Sequence, residues 1–256
     1  MFDWSQKVVF ITGASSGIGR ALAIALAKRG ASLGLLARRV DVLNEIATQI
    51  EASGGEALVL PADVTDATAV RGAADLLREK FGHIDILIAN AGIAGLSDAK
   101  DLNPSDVADV VRTNVVGAVN SVAAVLPEML ERNGGQLVAM SSLAAYRGLP
   151  KSGAYCASKA AVSAFFESAR LDLRETNIDV TIIHPGFIKT PLTAGRQNKM
   201  PYLMELDAGI KKIVRAIEER RKSYSFPWQL ATIARLGMLM PVAMYDRIAS
   251  RRSYRE

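Results

Sequence analysis

Cysteine and histidine are nearly missing: the 256 residues hold one cysteine, Cys156, and two histidines, His83 and His184. One thiol closes no internal disulfide, and three soft ligands spread this far apart make no zinc site, so no metal is expected. Aromatic residues make up only 6% of the chain, leaving no stacking platform for nucleic acid. A long apolar leader is also lacking. MFDWSQKVVFITG carries Asp3 and reaches only the four-residue run VVFI, too short for a signal-peptide core, so a cytoplasmic, reducing location is expected. From Trp228 to Tyr245 the one charge is Arg235, and Pro241 interrupts the run. An arginine at mid-span costs about 2.5–3.5 kcal/mol on insertion scales, which argues against a spanning helix.

What is present is ordinary for a folded protein: 50% hydrophobic and 22% charged residues, enough chain for one large domain. The net charge of +5 is unevenly spread. Residues 211–256 contain eleven Lys/Arg against four Asp/Glu, so this end carries +7 and the remainder about −2.

Short β-rich apolar runs alternate with longer segments of helical period, the pattern of parallel strands joined by crossover helices. The predicted strands are 8–11, 32–37, 56–61, 84–90, 135–141, 180–185 and 223–226. The predicted helices are 17–29, 40–53, 66–81, 104–131, 154–175 and 207–222, several closed by glycine. With right-handed crossovers the expected fold is a single doubly wound, Rossmann-like α/β domain over residues 1–226, with a seven-stranded parallel sheet and helices on both faces. Residues 227–256 form a helical extension, expected as helices 228–239 and 242–251.

After the first strand comes TGASSGIG, with Gly13, Gly17 and Gly19, then a helix of small residues. Glycines let the backbone turn tightly and approach a pyrophosphate, which the helix N-terminus attracts through free N–H groups and partial positive charge. The second strand ends in Ala37, Arg38 and Arg39, without the carboxylate that would bind the ribose hydroxyls of NAD. Guanidinium groups there suit a 2′-phosphate, so NADP(H) is favoured over NAD(H), although arginines also commonly open a solvated helix. Asp63, in PADVT, either lies near an adenine or competes to cap the following helix.

Further motifs follow in order: NAG at 90–92, TNVVG around Asn114, MSS at 140–142, YCASK at 155–159 and HPGFIKT at 184–190. Together with TGASSGIG they identify the chain as similar to the short-chain dehydrogenase/reductase family over residues 7 to about 190. The resemblance implies an active site of Asn114, Ser142, Tyr155 and Lys159. Ser142 is preferred to Ser141 because only it stands thirteen residues before the tyrosine. The implied cofactor contacts are Gly13, Ser15, Ser16, Gly17, Ile18, Gly19, Arg38, Arg39, Asp63, Val64, Asn90, Ala91, Gly92, Tyr155, Lys159, Pro185, Gly186, Ile188 and Thr190. The implied activity is an NAD(P)-dependent conversion between CH–OH and carbonyl groups.

The chemistry gives each residue a task. Tyr155 is the acid/base, and a phenol that titrates near pH 10 needs a nearby cation to act at neutrality. Lys159, four residues on, shares its helix face, whereas Cys156 points roughly 100° away and is expected to pack. Ser142 would stabilise charge on the substrate oxygen. Asn114 would hold a relay water or else merely mark a kink, and His184 is expected to be a strand-end residue rather than a base.

The tail departs from the family pattern. It is expected either to cover the substrate cleft or to rest on anionic membrane, with Trp228 as an anchor and arginines 247, 251, 252 and 255 at headgroups. Five of the eight methionines fall after residue 199, which suits an adaptable lipophilic pocket. The expected substrate is a hydrophobic alcohol or ketone, and helices 104–131 and 154–175 resemble those the family uses to dimerise, which implies a homodimer. The alternatives are a 3-oxoacyl-carrier-protein-type reductase and a redox-silent NADP-binding sensor or scaffold. No nucleic-acid partner is expected.

Overall fold

Alternation along the first strand fixes the layers of the molecule. In a computed structural model, which describes residues 2–95, 97–194 and 200–251, β1 (Val8–Thr12) is buried along its whole length. Val9 and Ile11 face one cluster, with Leu33 and Leu35 of β2 (Ser32–Ala37), Leu22 and Leu26 of α1 (Gly17–Ala27), and Ile213 and Ile217 of α7 (Leu206–Glu218). Phe10 faces the other, with Leu77 of α3 (Ala67–Phe81), Val125 of α5 (Gly117–Glu131) and Phe166 of α6 (Gly153–Asp172). Period-2 alternation thus builds two cores, one on each face. Truncating a fully buried ring such as Phe166 to alanine should cost about 3–5 kcal/mol.

The remaining strands are β3 (Glu56–Pro61), β4 (Ile86–Ala89), β5 (Gly135–Met140), β6 (Ile178–Pro185) and β7 (Ser223–Phe226). All pair in parallel in the order 3-2-1-4-5-6-7. The order reverses direction between β1 and β4, which opens a crevice at their carboxyl ends. The sheet is the one expected, with local differences at strand ends. β4 starts two residues later than expected, and just before it the Asp85 carboxylate accepts the Val8 N–H at 2.9 Å.

Helix α2 (Val40–Glu51) follows β2, and Asp66 caps α3 by accepting the Thr68 and Ala69 amides. The expected helix 104–131 is α4 (Pro104–Val111) and α5 joined by a π turn at Arg112–Val116 around Asn114. Among the described residues it is the one helix long and apolar enough to cross a bilayer by length and composition. Here it packs on α3, α6 and β4. The extension forms α8 (Trp228–Leu239) and α9 (Val242–Arg251), with the predicted bounds.

Candidate active site

Close packing shapes the loop after β1. Gly13 has φ +68°, and a Cβ there would stand 2.7 Å from the Ala91 Cα; one on Gly19 would stand 2.3 Å from the Gly13 carbonyl oxygen. Neither position accepts a side chain. Asn90 tightens the crossing, its Nδ2 donating to the Thr12 carbonyl at 2.9 Å and the Gly13 carbonyl at 3.3 Å, while Thr12 Oγ1 accepts the Asn90 and Ala91 amides. Ser16 precedes α1 without making a side-chain capping bond, so the helix's first amides keep their capacity for an anionic group.

A cleft of about 460 Å³ opens above this loop. Gly13, Ser15, Ser16, Gly17 and Ile18 line its base, Arg38, Arg39, Asp63 and Val64 one end, and Asn90, Ala91, Gly92, Tyr155, Lys159 and Thr190 the other. A tight glycine turn under uncapped amides, with cations at the far end, fits a dinucleotide. Gly19 is buried beneath the loop.

Arg39 donates to the Ser15 carbonyl at 3.1 Å and its hydroxyl at 3.0 Å. The Arg38 side chain is 72% exposed and reaches Asp63 at 3.5 Å. Bonding from the Thr65 amide, helped by Arg38, holds the Asp63 carboxyl below its ordinary pKa. Since Asp66 caps α3, Asp63 is free of that task and faces the cleft.

Tyr155 and Lys159 project from one face of α6. The Lys159 ammonium lies 5.8 Å from the Tyr155 ring centroid and donates to the Met140 carbonyl at 2.7 Å. Lys159 is only 6% exposed, and burial lowers its pKa to about 8, which leaves it mainly charged at neutrality. Cys156 is buried, its thiol pKa raised by that burial, and it packs as expected.

The two serines after β5 differ in their bonding, although Ser141 also borders both the cleft and a second cavity. Ser141 is buried, donating to the Lys159 carbonyl at 3.0 Å and lying 2.7 Å from the Ser163 hydroxyl. Ser142 Oγ accepts the Ala144 amide at 3.1 Å, capping a 3-10 turn at Leu143–Ala145, and lines the second cavity. Asn114 lines neither space. Its Oδ1 accepts the Ile93 amide at 2.8 Å, and its Nδ2 donates to the Ile93 carbonyl and Ser158 hydroxyl, both at 2.9 Å. Thus the π turn is real, and it aims Asn114 at the strand-end turn beside Gly92 and Lys159. His184 is buried, 3.2 Å from Ser163 Oγ and stacked 5.2 Å from the Tyr146 ring; burial and then Arg235 lower its pKa to about 4. It faces neither cavity, in keeping with a strand-end residue.

The second cavity, about 270 Å³, adjoins the first at Tyr155. Leu143, Leu149, Phe187 and Leu192 form its inner wall, with Pro185, Gly186 and Ile188; Thr190 borders both spaces. The tail supplies the outer wall through Leu230, Ile233, Gly237, Met240, Tyr245 and Ile248. Of the tail-end methionines, Met200 and Met240 line it, whereas Met238 and Met244 are exposed. Tyr146 and Arg147, also in its wall, carried no motif and were missed from sequence. Only their position after Ser142 could have singled them out.

Among the described residues, part of the positive charge of this end lies ahead of the tail helices. Arg215 and Arg221 both pair with Glu219, and Arg220 pairs with Asp179, at the opposite end of β7 from α8. Arg247 is exposed on α9. The Arg251 side chain and residues 252 and 255 lie outside the described residues.

Residues 7–201 match the sequence profile of the family described as short chain dehydrogenase. An uncharacterized oxidoreductase of Myxococcus xanthus is 41% identical, over 98% of this chain and 99% of its own. Dehydrogenase/reductase SDR family member 7B of Bos taurus is 38% identical over 73% of this chain and 60% of its own. A crystal structure of a short chain dehydrogenase/reductase from Burkholderia phymatum in complex with NAD superposes with a TM-score of 0.82 at 28% identity, covering 92% of this chain and 94% of that one.

Proposed function

The chain belongs to the short-chain dehydrogenase family, and from that premise we propose an NADP(H)-dependent oxidoreductase that acts on uncharged, apolar ketones and the matching secondary alcohols. One observation carries this reading: Tyr155 forms part of the wall of both the polar cleft and the apolar cavity. A substrate carbonyl in the cavity and a nicotinamide in the cleft would therefore meet at its hydroxyl.

When bound, the nicotinamide supplies or accepts the hydride. The chain manages the proton. Tyr155 protonates the substrate oxygen during reduction and accepts a proton during oxidation. The Lys159 ammonium stabilises the resulting phenolate by its charge, each unit of lowered pKa needing about 1.4 kcal/mol. Ser142, whose Oγ accepts the Ala144 amide, keeps its proton to donate to the same oxygen in place of its long 3.5 Å contact with the Pro185 carbonyl. Asn114 holds Ile93 and Ser158 beside Lys159, which suits a water relay from the lysine to solvent.

The cofactor phosphates would be held by the amides at Gly17–Gly19 with Ser15 and Ser16. Arg38 is the group for a 2′-phosphate, because Arg39 is already committed to Ser15. Exposed Val111, Val116, Leu130 and Leu171 on the α4–α6 surface support a homodimer through these helices. A carrier-linked 3-oxoacyl substrate has less support, since Arg215, Arg220 and Arg221 already have acidic partners. A second reading, tail contact with a membrane surface, is favoured by Trp228 and Leu239, 72% and 84% exposed on the outer side. Cosedimentation with anionic vesicles tests it.

The deciding experiment follows NADPH and NADH oxidation across methyl ketones of rising chain length and across keto acids. We expect NADPH to be preferred and kcat/KM to rise with chain length. Preference for NADH would overturn the Arg38 reading, and preference for keto acids would overturn the substrate class.

A further inference from the structure

The geometry points to Arg147 as a positioning residue that sets the size of the substrate cavity by clamping both tail helices to the segment that carries Ser142. This inference rests on the reading of the apolar cavity as the substrate site. Helix α8 ends at Leu239 and its cap, Met240, has extended backbone; Gly237 accepts the Met240 amide through a long 3.4 Å bond, and the last carbonyls have room for a further donor. The Arg147 guanidinium fills that role, donating to the Gly237 carbonyl and, at 2.9 Å, to the Met240 carbonyl. A cation at a helix C-terminus is favourable in itself.

The same guanidinium lies 3.9 Å from the centroid of the Tyr245 ring on α9, within cation–π range. The Tyr245 hydroxyl donates back to the Gly148 carbonyl at 2.5 Å. Two adjacent residues, five and six positions after Ser142, therefore grip the end of α8 and the middle of α9.

Beyond this clamp, α8 is held by the Arg235 guanidinium, which donates to Ser225 Oγ of β7 at 3.3 Å, and by packing on β7 and the 3-10 turn. In α8 only Ala231 and Gly237 are buried, while Trp228, Leu236, Met238 and Leu239 are exposed. Hydrophobic burial is thus slight, and directional bonds at Arg147 carry a large share of the docking. Arg147 itself borders the cavity, and its Nη1 is engaged with the helix end, so it sets the position of that wall.

The test combines kinetics with amide hydrogen exchange on Arg147→Ala, Arg147→Lys and Tyr245→Phe in the full chain. For Arg147→Ala we expect KM for a long-chain ketone to rise about tenfold, the loss expected for a charged hydrogen-bond donor, with kcat within about threefold and KM for a short ketone unchanged. Arg147→Lys keeps a cation over Tyr245 and reaches one carbonyl, so its rise should be intermediate. Tyr245→Phe, which loses the Gly148 bond and keeps the ring under Arg147, should raise KM about threefold and serves if the alanine variant does not fold.

Exchange over residues 228–251 should accelerate about tenfold in Arg147→Ala, with the sheet unchanged. Unchanged exchange in the tail overturns the inference, as does an equal loss for short and long ketones. If the parent enzyme reduces no apolar ketone, the proposed substrate falls while the exchange measurement still decides the clamp.

Discussion

The cleft beyond β1 and β4 and the cavity beneath the tail meet at Tyr155, Ser141 and Thr190 and differ in the chemistry of the rest of their walls. The cleft is walled by glycines, serines and main-chain amides, held in place by contacts as close as the Gly13–Ala91 crossing. The cavity is walled by leucine, isoleucine and methionine side chains from four separate segments. Main-chain recognition demands a conformation that few residues can adopt, so it fixes residue types at fixed spacing. Apolar walls demand volume, and volume-conserving swaps among such residues usually cost less than about 1.5 kcal/mol. The first kind of site is set by geometry, the second by composition.

The sharpest way to sharpen that contrast is at the shared tyrosine. Tyr155→Phe keeps both walls and removes the proton. Turnover should fall about 10³-fold for every ketone, with NADPH binding by fluorescence titration near the parent value. Residual turnover near the parent level would remove Tyr155 from the chemistry.

Lys159→Met separates function from stability within the cleft. The lysine's folded pKa of about 8 lies below its unfolded value near 10.5, so the unfolded chain binds more protons between these values. Below pH 8 the full cost of burying the charge applies, about 3 kcal/mol, and it fades as pH rises towards 10.5. The variant loses the bond to Met140 but also this cost. Turnover should fall at least about 10²-fold while melting at pH 7 stays at or above the parent, an advantage that shrinks at pH 10. A variant melting well below the parent at both pH values would sink this account.

Arg38→Ala tests whether the cleft's specificity rests on one exposed side chain. We expect KM for NADPH to rise about tenfold and KM for NADH to change less than about twofold, while the apolar ketone series keeps its order. An equal change for both cofactors would assign Arg38 to general electrostatics.

The same contrast explains what the sequence made readable. Strand patterns and glycine turns gave the sheet and the phosphate loop, because periodicity and turn residues act locally. The bounds of α8 and α9 were also readable, since Pro227 and Pro241 punctuate them. Their docking was not. It depends on Arg147, about ninety residues away, meeting main-chain carbonyls, and a carbonyl leaves no trace in residue identity. Likewise the charge count of residues 211–256 gave +7 but could not reveal that Arg215, Arg220 and Arg221 pair with acids at the other end of β7.

The smallest effect lies at the seam between the two regions. His184 stacks on Tyr146, whose hydroxyl lies 2.8 Å from Ser225, which also accepts from Arg235 of α8. Its folded pKa of about 4 is depressed from 6.5, so its stabilising effect is complete above pH 6.5 and is lost as pH falls towards 4. From pH 8 to pH 5 the loss from this residue is about 2 kcal/mol, or a few degrees in Tm. His184→Asn should flatten the dependence of Tm on pH between 6.5 and 4 without changing turnover at pH 7 by more than about twofold. An unchanged slope would mean that the acid response comes from carboxylates elsewhere. A flattened slope, with acid exchange rising first in residues 228–251, would mean that protonation at the seam releases the apolar wall before the cofactor cleft.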